Sequence, residues 1–114
     1  MKRGEIYYAG LNPTVGSEIN KKRPVLIISS DANNRVSNTV TVIPITSNVK
    51  KVYSFEVLLE TQESCLAKLS KAQCQQIRTI SKLRISDKTP AGSVGVAVLT
   101  KIEAAVKLHL AFML

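Results

Sequence analysis

Apolar and polar residues alternate in short runs over most of this 114-residue chain, and only the last segment adopts a spacing of three to four. Glu5-Ile6-Tyr7-Tyr8-Ala9-Gly10-Leu11 is rich in β-formers and predicts a first strand. Asn12-Pro13-Thr14-Val15-Gly16-Ser17 carries turn residues and opens a polar, basic loop running to Lys21-Lys22-Arg23. Pro24-Val25-Leu26-Ile27-Ile28-Ser29 is apolar almost throughout, which predicts a strand buried on both faces. Pro24 stands at its first residue, where a missing N–H is tolerated. Asp31-Ala32-Asn33-Asn34 predicts a short capped turn. Residues 39–43 predict a third strand, ending in Pro44-Ile45-Thr46-Ser47-Asn48, and residues 55–59 a fourth. Residues 64–69 suit a short fifth, and residues 75–80 a polar–apolar strand facing a polar site. After the break at Pro90-Ala91-Gly92, Leu99, Ile102, Val106 and Leu110 predict an amphipathic helix packed on a core.

Short strands followed by one helix predict a mainly β fold, a small and strongly bent sheet or barrel closed by the helix. With no repeat and no linker, residues 1–114 read as a single domain. A barrel this small is filled by its own side chains, so a ligand is expected on loops or an outer groove. No apolar run approaches the ~20 residues of a membrane-spanning helix. The N-terminus passes straight into a strand, so no signal peptide is expected. Cys65 and Cys74 are too few for a disulfide framework or a four-ligand zinc site, and are expected as free thiols in a reducing cytoplasm.

Charge changes this picture. Sixteen Lys and Arg against eight Asp and Glu give a formal net charge of +8. Such an excess on a small domain favours a polyanionic partner, against the plainer reading of a solvated surface. The excess is uneven: residues 64–88 carry Lys68, Lys71, Arg78, Lys82, Arg84 and Lys88 against Asp87 alone. Residues 52–63 carry Glu56, Glu60 and Glu63 without a base.

The candidate chemistry is narrow. The chain has no phosphate-binding glycine loop, no Gly-x-Ser-x-Gly and no cluster of metal-ligating residues, so neither a metal nor a cofactor is expected. Its one histidine, His109, lies between leucines in the terminal helix and reads as structural, and one histidine excludes a two-histidine ribonuclease mechanism. What remains is Arg, Thr, Ser, Gln and Glu. That set suits cleavage of RNA, which carries its own nucleophile, the 2′-hydroxyl. An enzyme need only align that oxygen with the leaving 5′-oxygen and stabilise charge on a five-coordinate phosphorus. Arginine hydrogen-bonds two phosphoryl oxygens and stays charged, and threonine adds a hydroxyl donor. Arg23, at the start of a buried strand, and Thr46, at the end of another, are the candidates. Each also reads plainly, as one more basic loop residue and a strand-end hydrogen bonder.

At these residues a resemblance enters. Arg3-Gly4-Glu5-Ile6-Tyr7, Asn12-Pro13-Thr14-Val15-Gly16-Ser17-Glu18, Arg23-Pro24-Val25-Leu26-Ile27-Ile28, Pro44-Ile45-Thr46-Ser47 and Gln76-Ile77-Arg78-Thr79-Ile80 resemble the signature blocks of the MazF/PemK toxin endoribonucleases. The resemblance implies an SH3-like β-barrel with a C-terminal helix, as in the MazF/PemK/CcdB-like toxins. It implies a cytoplasmic toxin of a type II toxin–antitoxin pair, usually a homodimer, touching DNA only through its antitoxin. The activity implied is metal-independent cleavage of single-stranded RNA, mainly mRNA, leaving 2′,3′-cyclic phosphate and 5′-hydroxyl ends. The implied inhibitor is a MazE-like antitoxin with an acidic segment. By the same resemblance Arg23 and Thr46 are catalytic, and Gly16, Ser17 and Glu18 shape the RNA site. Gln76 and Arg78 line or support the groove, and Asn33 and Asn34 lie near a base-contacting region. Lys21, Lys22, Lys50 and Lys51 would steer the RNA backbone. Ser47 follows Thr46 in its block and is a candidate substrate contact, and Gln75 and Gln76 are candidates for reading unstacked bases.

The chain departs from the pattern in places. Some relatives place a catalytic arginine and aspartate just before the Gln-x-Arg-Thr-Ile block, where this chain has Gln73 and Gln75. The block often continues into aspartate, here Ser81. Glu18 serves as a general base or as a loop residue. Two other readings stand beside the endoribonuclease: a non-catalytic RNA-binding module, and a gyrase-poisoning toxin on the same fold.

Overall fold

A long central strand organises the sheet in the computed structural model, which describes residues 1–112. Residues 113 and 114 of the expected single domain lie outside the described residues. The elements are β1 (Glu5–Gly10), β2 (Lys22–Ile27), α1 (Asp31–Val36), β3 (Thr39–Thr46), β4 (Glu56–Leu59), α2 (Thr61–Ser64), β5 (Ser70–Gln73), β6 (Arg78–Ser81), β7 (Gly92–Ser93) and α3 (Val96–Leu110). All pairings are antiparallel, in the order β4-β5-β3-β2-β1-β7, with β6 also on β3. The first part of β3 pairs with β6 through Thr39–Val42, and its end pairs with β5 through Ile45 and Thr46. Pro44 sits in the gap between these partners, where its missing N–H breaks no ladder on that side. This change of partner along one strand curls the sheet into a half-open barrel. It is the mainly β fold with a C-terminal helix that the sequence predicts.

The curl leaves β2 and β3 covered on both faces. Ile6, Leu26, Ile43 and Ile45 pack on one side with Val57, Leu59, Val98, Ile102 and Ala105. Tyr7, Val25, Ile27, Val40 and Val42 pack on the other with Leu11, Ile80 and Ile85. Strand neighbours alternate between the two clusters, which is why residues 25–27 are apolar without interruption.

Several elements differ from the sequence expectation. Pro24 is the third residue of β2, not its first, because Lys22 and Arg23 already pair with Gly10 and Ala9. The turn at 31–34 is a helix, α1, with the Ser30 side chain accepting from the Asn33 amide. The fifth strand is not at 64–69. Residues 61–64 form the single turn α2, where Glu60 and Glu63 close a reciprocal capping box, and the strand follows at Ser70–Gln73. Residues 74–76 form a 3₁₀ turn before β6. Helix α3 buries Val98, Ile102 and Ala105, with Leu99 and Val106 half-buried beside them, while Leu110 is exposed. The small Ala105 suits close approach to the sheet, so the buried stripe is rotated from the one that leucine spacing suggests. At β7, Gly92 approaches Ser64 so closely that a Cβ there would stand 2.1 Å from the Ser64 carbonyl oxygen.

Candidate functional site

The sheet register assembles the polar site. Val25 pairs with Pro44, and continuing that register two residues brings Arg23 opposite Thr46. Thr46 in turn pairs directly with Lys71 on β5. Arg23, Thr46 and Lys71 therefore form a row across three adjacent strands, with side chains on one face. All three line a cavity of about 230 Å³, together with Ser17, Ile19, Asn48, Gln73 and Gln76. Arg23 also borders a second cavity of about 270 Å³, lined among others by Tyr8, Lys22, Ser47 and Lys68.

The donors in this row are partly committed. Arg23 Nε donates to the Asn20 carbonyl at 3.0 Å, and its terminal nitrogens bond no atom of the described residues. Thr46 is buried, and its Oγ1 accepts from the Asn48 amide at 3.2 Å, so its hydroxyl proton is free to donate. The loop before Arg23 is held by residues of the 74–84 segment. Gln76 Oε1 accepts from the Ile19 amide and Gln76 Nε2 donates to the Ser17 carbonyl, both at 3.4 Å. Arg78 donates to the Leu11 carbonyl at 3.3 Å, and Arg84 to the Gly10 and Asn12 carbonyls. Gly16 and Lys21 take positive φ angles within the loop. Glu18 accepts from the Val15 amide at 2.7 Å and does not line the cavity.

Behind the row lies a buried polar cluster. Glu56 accepts from Lys71 Nζ at 2.9 Å, Gln75 Nε2 at 2.7 Å, Gln73 Nε2 at 3.4 Å and the Tyr53 amide at 2.9 Å. Burial pushes this carboxyl up, but the hydrogen bonds outweigh it and hold it below the usual carboxylate range. The Gln73 and Gln75 carbonyl oxygens are buried without a partner. Burial pushes the neighbouring Cys74 thiol up to about 12. Cys65 is exposed, and both cysteines are free.

Of the residues singled out in the sequence, Arg23, Thr46, Ser17 and Gln76 come together at the smaller cavity, and Lys22 and Ser47 at the adjoining one. Gln75 points away into the Glu56 cluster. Lys21 and Lys50 are exposed on the two flanking loops. Asn33 and Asn34 are not brought to the site. Asn34 is buried at the other end of β2, bonded to the Ser29 hydroxyl and carbonyl, and Asn33 bonds the Thr39 carbonyl. Their amides close the joint between α1 and the sheet. His109 is exposed at the end of α3, 5.7 Å from the Phe55 ring centre. Sequence reasoning did not single out Asn48 or Lys71 as site residues. Lys71 was visible only as one member of a basic run, and its link to Thr46 is a pairing between distant strands. Among the described residues no group of three His, Cys, Asp or Glu could hold a metal ion. No helix among them is long and apolar enough to cross a membrane.

Comparison with known proteins identifies the family and the fold. The family described as "PemK-like, MazF-like toxin of type II toxin-antitoxin system" matches residues 2–110. Endoribonuclease MazF9 of Mycobacterium tuberculosis is 42% identical, over 96% of each chain. Endoribonuclease EndoA of Bacillus subtilis is 36% identical, over 97% of this chain and 95% of its own. Among solved structures, MazF of Deinococcus radiodurans superposes with a TM-score of 0.85 at 22% identity, covering 98% of this chain and 97% of that one. An endoribonuclease in complex with its cognate antitoxin, from a mycobacterial species, gives 0.80 at 22% identity over 100% and 98%.

Proposed function

Since the chain belongs to the PemK-like, MazF-like toxins of type II toxin–antitoxin systems, we propose that it is an endoribonuclease cutting single-stranded RNA, mainly mRNA, at short sequences without a metal. The observation that carries the chemistry is the row of Arg23 and Thr46 facing one polar cavity.

The scissile phosphate sits at the terminal nitrogens of Arg23. The RNA 2′-oxygen bonds to phosphorus while the bond to the 5′-oxygen breaks, giving a 2′,3′-cyclic phosphate and a 5′-hydroxyl. Arg23 balances the charge that builds on the phosphoryl oxygens, and the Thr46 hydroxyl donates to one of them. The side chains lining this cavity include no carboxylate and no imidazole. Glu18 is engaged within its own loop. Water therefore takes the 2′-hydroxyl proton and supplies the one the 5′-oxygen gains. The exposed Lys21, Lys22 and Lys50 draw the RNA backbone to the site, and Ser17, Ser47 and Gln76 contact the nucleotides around the phosphate.

The partners follow from charge and family. An acidic, MazE-like antitoxin competes with RNA for the basic face, a salt-sensitive contact. Leu58 and Leu108 are exposed and line a cavity between β4 and α3 that suits a second copy of the chain. The protein works in the cytoplasm, where mRNA is.

The test is digestion of a long single-stranded RNA in EDTA, with the ends mapped by 5′-hydroxyl sequencing. Cyclic-phosphate ends at a short consensus are expected, and Arg23→Ala should abolish them. Activity lost on chelation, or retained by Arg23→Ala, would refute the mechanism. RNA bound but never cut would favour the non-catalytic module.

A further inference from the structure

Lys71 stands directly beside Thr46 in the row, but its pairing with Glu56 takes no part in the chemistry described above. It is an expensive feature to bury. The Lys71 side chain is 9% exposed and that of Glu56 1% exposed. Burying such a pair seldom stabilises a fold more than apolar residues of the same size would. Its geometry shows what else it does.

Lys71 Nζ donates to Glu56 Oε1 and to the backbone carbonyl of Lys51. Glu56 Oε1 also accepts from the backbone amide of Tyr53. The ammonium of Lys71 lies 5.9 Å from the centre of the Tyr53 ring, and that of Lys51 lies 5.0 Å from it. Both members of the pair thus grip the β3–β4 loop by its main chain, at two residues in the middle of its length. That loop begins with Ser47 and Asn48, which line the two cavities beside Arg23, and continues into Lys50. The other end of the grip is equally fixed. Lys71 pairs with Thr46, and Glu56 pairs with Gln73 across β4 and β5. Gln73 and Gln75 donate to the second carboxylate oxygen and keep Glu56 from turning away.

We propose that Lys71 and Glu56 are positioning residues, a latch that holds the β3–β4 loop over the Arg23–Thr46 cavity so that RNA meets an ordered loop. The latch rests on the functional reading above for its purpose, but not for its existence. Without it, residues 48–54 lose both main-chain anchors, and RNA binding must order them at each encounter. Loss of the latch therefore weakens RNA binding before it slows chemistry, because neither residue touches the phosphate. The two glutamines belong to the same device: they add donors to the carboxylate that receives the lysine.

The test is the double variant K71M/E56Q. It removes both charges together, so no buried charge is left unpaired; the anchor on the Lys51 carbonyl is lost, and the anchor on the Tyr53 amide falls from a charged to a neutral acceptor. Its melting temperature is expected to stay near that of the wild type. The single variant K71M, which leaves Glu56 charged, should melt lower and serves to calibrate the pair. Two readouts follow in K71M/E56Q. Amide hydrogen exchange across residues 48–54, read without RNA, should accelerate about tenfold or more. The dissociation constant for an RNA made uncleavable by a 2′-deoxy sugar at the cut site should rise about tenfold, a larger change than any fall in kcat on the cleavable RNA. Unchanged loop exchange would overturn the latch. Faster exchange with unchanged RNA affinity would overturn its positioning role. A fall in kcat at unchanged affinity would also overturn it, by placing Lys71 in the chemical step. A wild type that binds no RNA would refute the proposed function, and with it the positioning role, while loop exchange would still decide whether the latch exists.

Discussion

Replacing Arg23 by lysine separates charge from geometry at the proposed phosphate site. Arg23 Nε is committed to the Asn20 carbonyl at 3.0 Å, so two terminal nitrogens remain for phosphoryl oxygens. Lysine keeps the charge and fits the strand position, but offers one nitrogen for both tasks. It cannot hold the loop carbonyl and form two parallel bonds to the phosphate. The minimum loss is one charge-assisted hydrogen bond in the transition state, roughly 1.5–3 kcal/mol. That converts to a fall of about 10- to 150-fold in kcat/KM. Arg23→Ala loses the charge as well and should fall further. The assay is single-turnover cleavage of a fluorogenic RNA in EDTA, with melting temperature measured alongside. Among the described residues the Asn20 bond is the one hydrogen bond of the Arg23 side chain, so stability should drop by about 1 kcal/mol at most. Arg23→Lys cleaving within about twofold of wild type, with the fold intact, would refute a bidentate phosphate contact. An equal loss for lysine and alanine would mean that the fork carries the whole effect and the charge nothing.

Thr46→Val keeps the shape of the side chain and removes the free hydroxyl proton; kcat should fall on the order of 10- to 100-fold with KM nearly unchanged, and equal kcat in steady-state assays would remove Thr46 from the mechanism. Gly92→Ala sets a methyl group 2.1 Å from the Ser64 carbonyl oxygen, between two backbone segments that side-chain motion cannot separate. Overpacking of this kind costs roughly 1–3 kcal/mol, and thermal denaturation should show a fall of several degrees; an unchanged melting temperature would contradict the packing of α2 on β7. Glu56 is held below its unfolded carboxyl pKa of about 4.3, so its contribution to stability is complete above that value and is lost as pH falls through the lower, folded one. Urea unfolding of the wild type and Glu56→Gln should therefore differ by a constant amount near neutrality and converge in acid, and a gap unchanged down to about pH 3 would refute the sign of the shift.

The parts of this molecule legible in the sequence are those fixed by local pattern. The unbroken apolar run at residues 25–27 marks a strand covered on both sides, and two separate clusters do cover it. The terminal helix was visible from its spacing, but not its rotation, because an alanine faces the sheet where leucine count favours another stripe. Residues 61–64 were hidden because glutamate, not serine or threonine, caps their single turn. At the site, Arg23 and Thr46 stood out by chemistry and by family resemblance, each at a strand end. Lys71 and Asn48 did not, since a lysine reads as surface charge until register shows it opposite Thr46. Asn33 and Asn34, which the resemblance sets near a base-contacting region, lie away from the row and satisfy backbone and hydroxyl groups at the joint of α1.

The acidic run at 52–63 and the basic run at 64–88 meet in space at one ion pair, Glu56 with Lys71. The one other ion pair among the described residues joins Arg3 to Glu103, on the side of α3. Two bridges against a net charge of +8 leave most of the cations facing solvent. Lys71 is thus the cation beside Thr46 whose charge is already matched, while Arg23 has no carboxylate partner among the described residues. In the proposed mechanism, a phosphate entering the cavity finds one unmatched guanidinium at its centre and lysines at its rim. The rim supplies long-range attraction, which salt screens and which serves RNA and an acidic inhibitor alike. The centre supplies directed hydrogen bonds, which only a correctly placed phosphate can use.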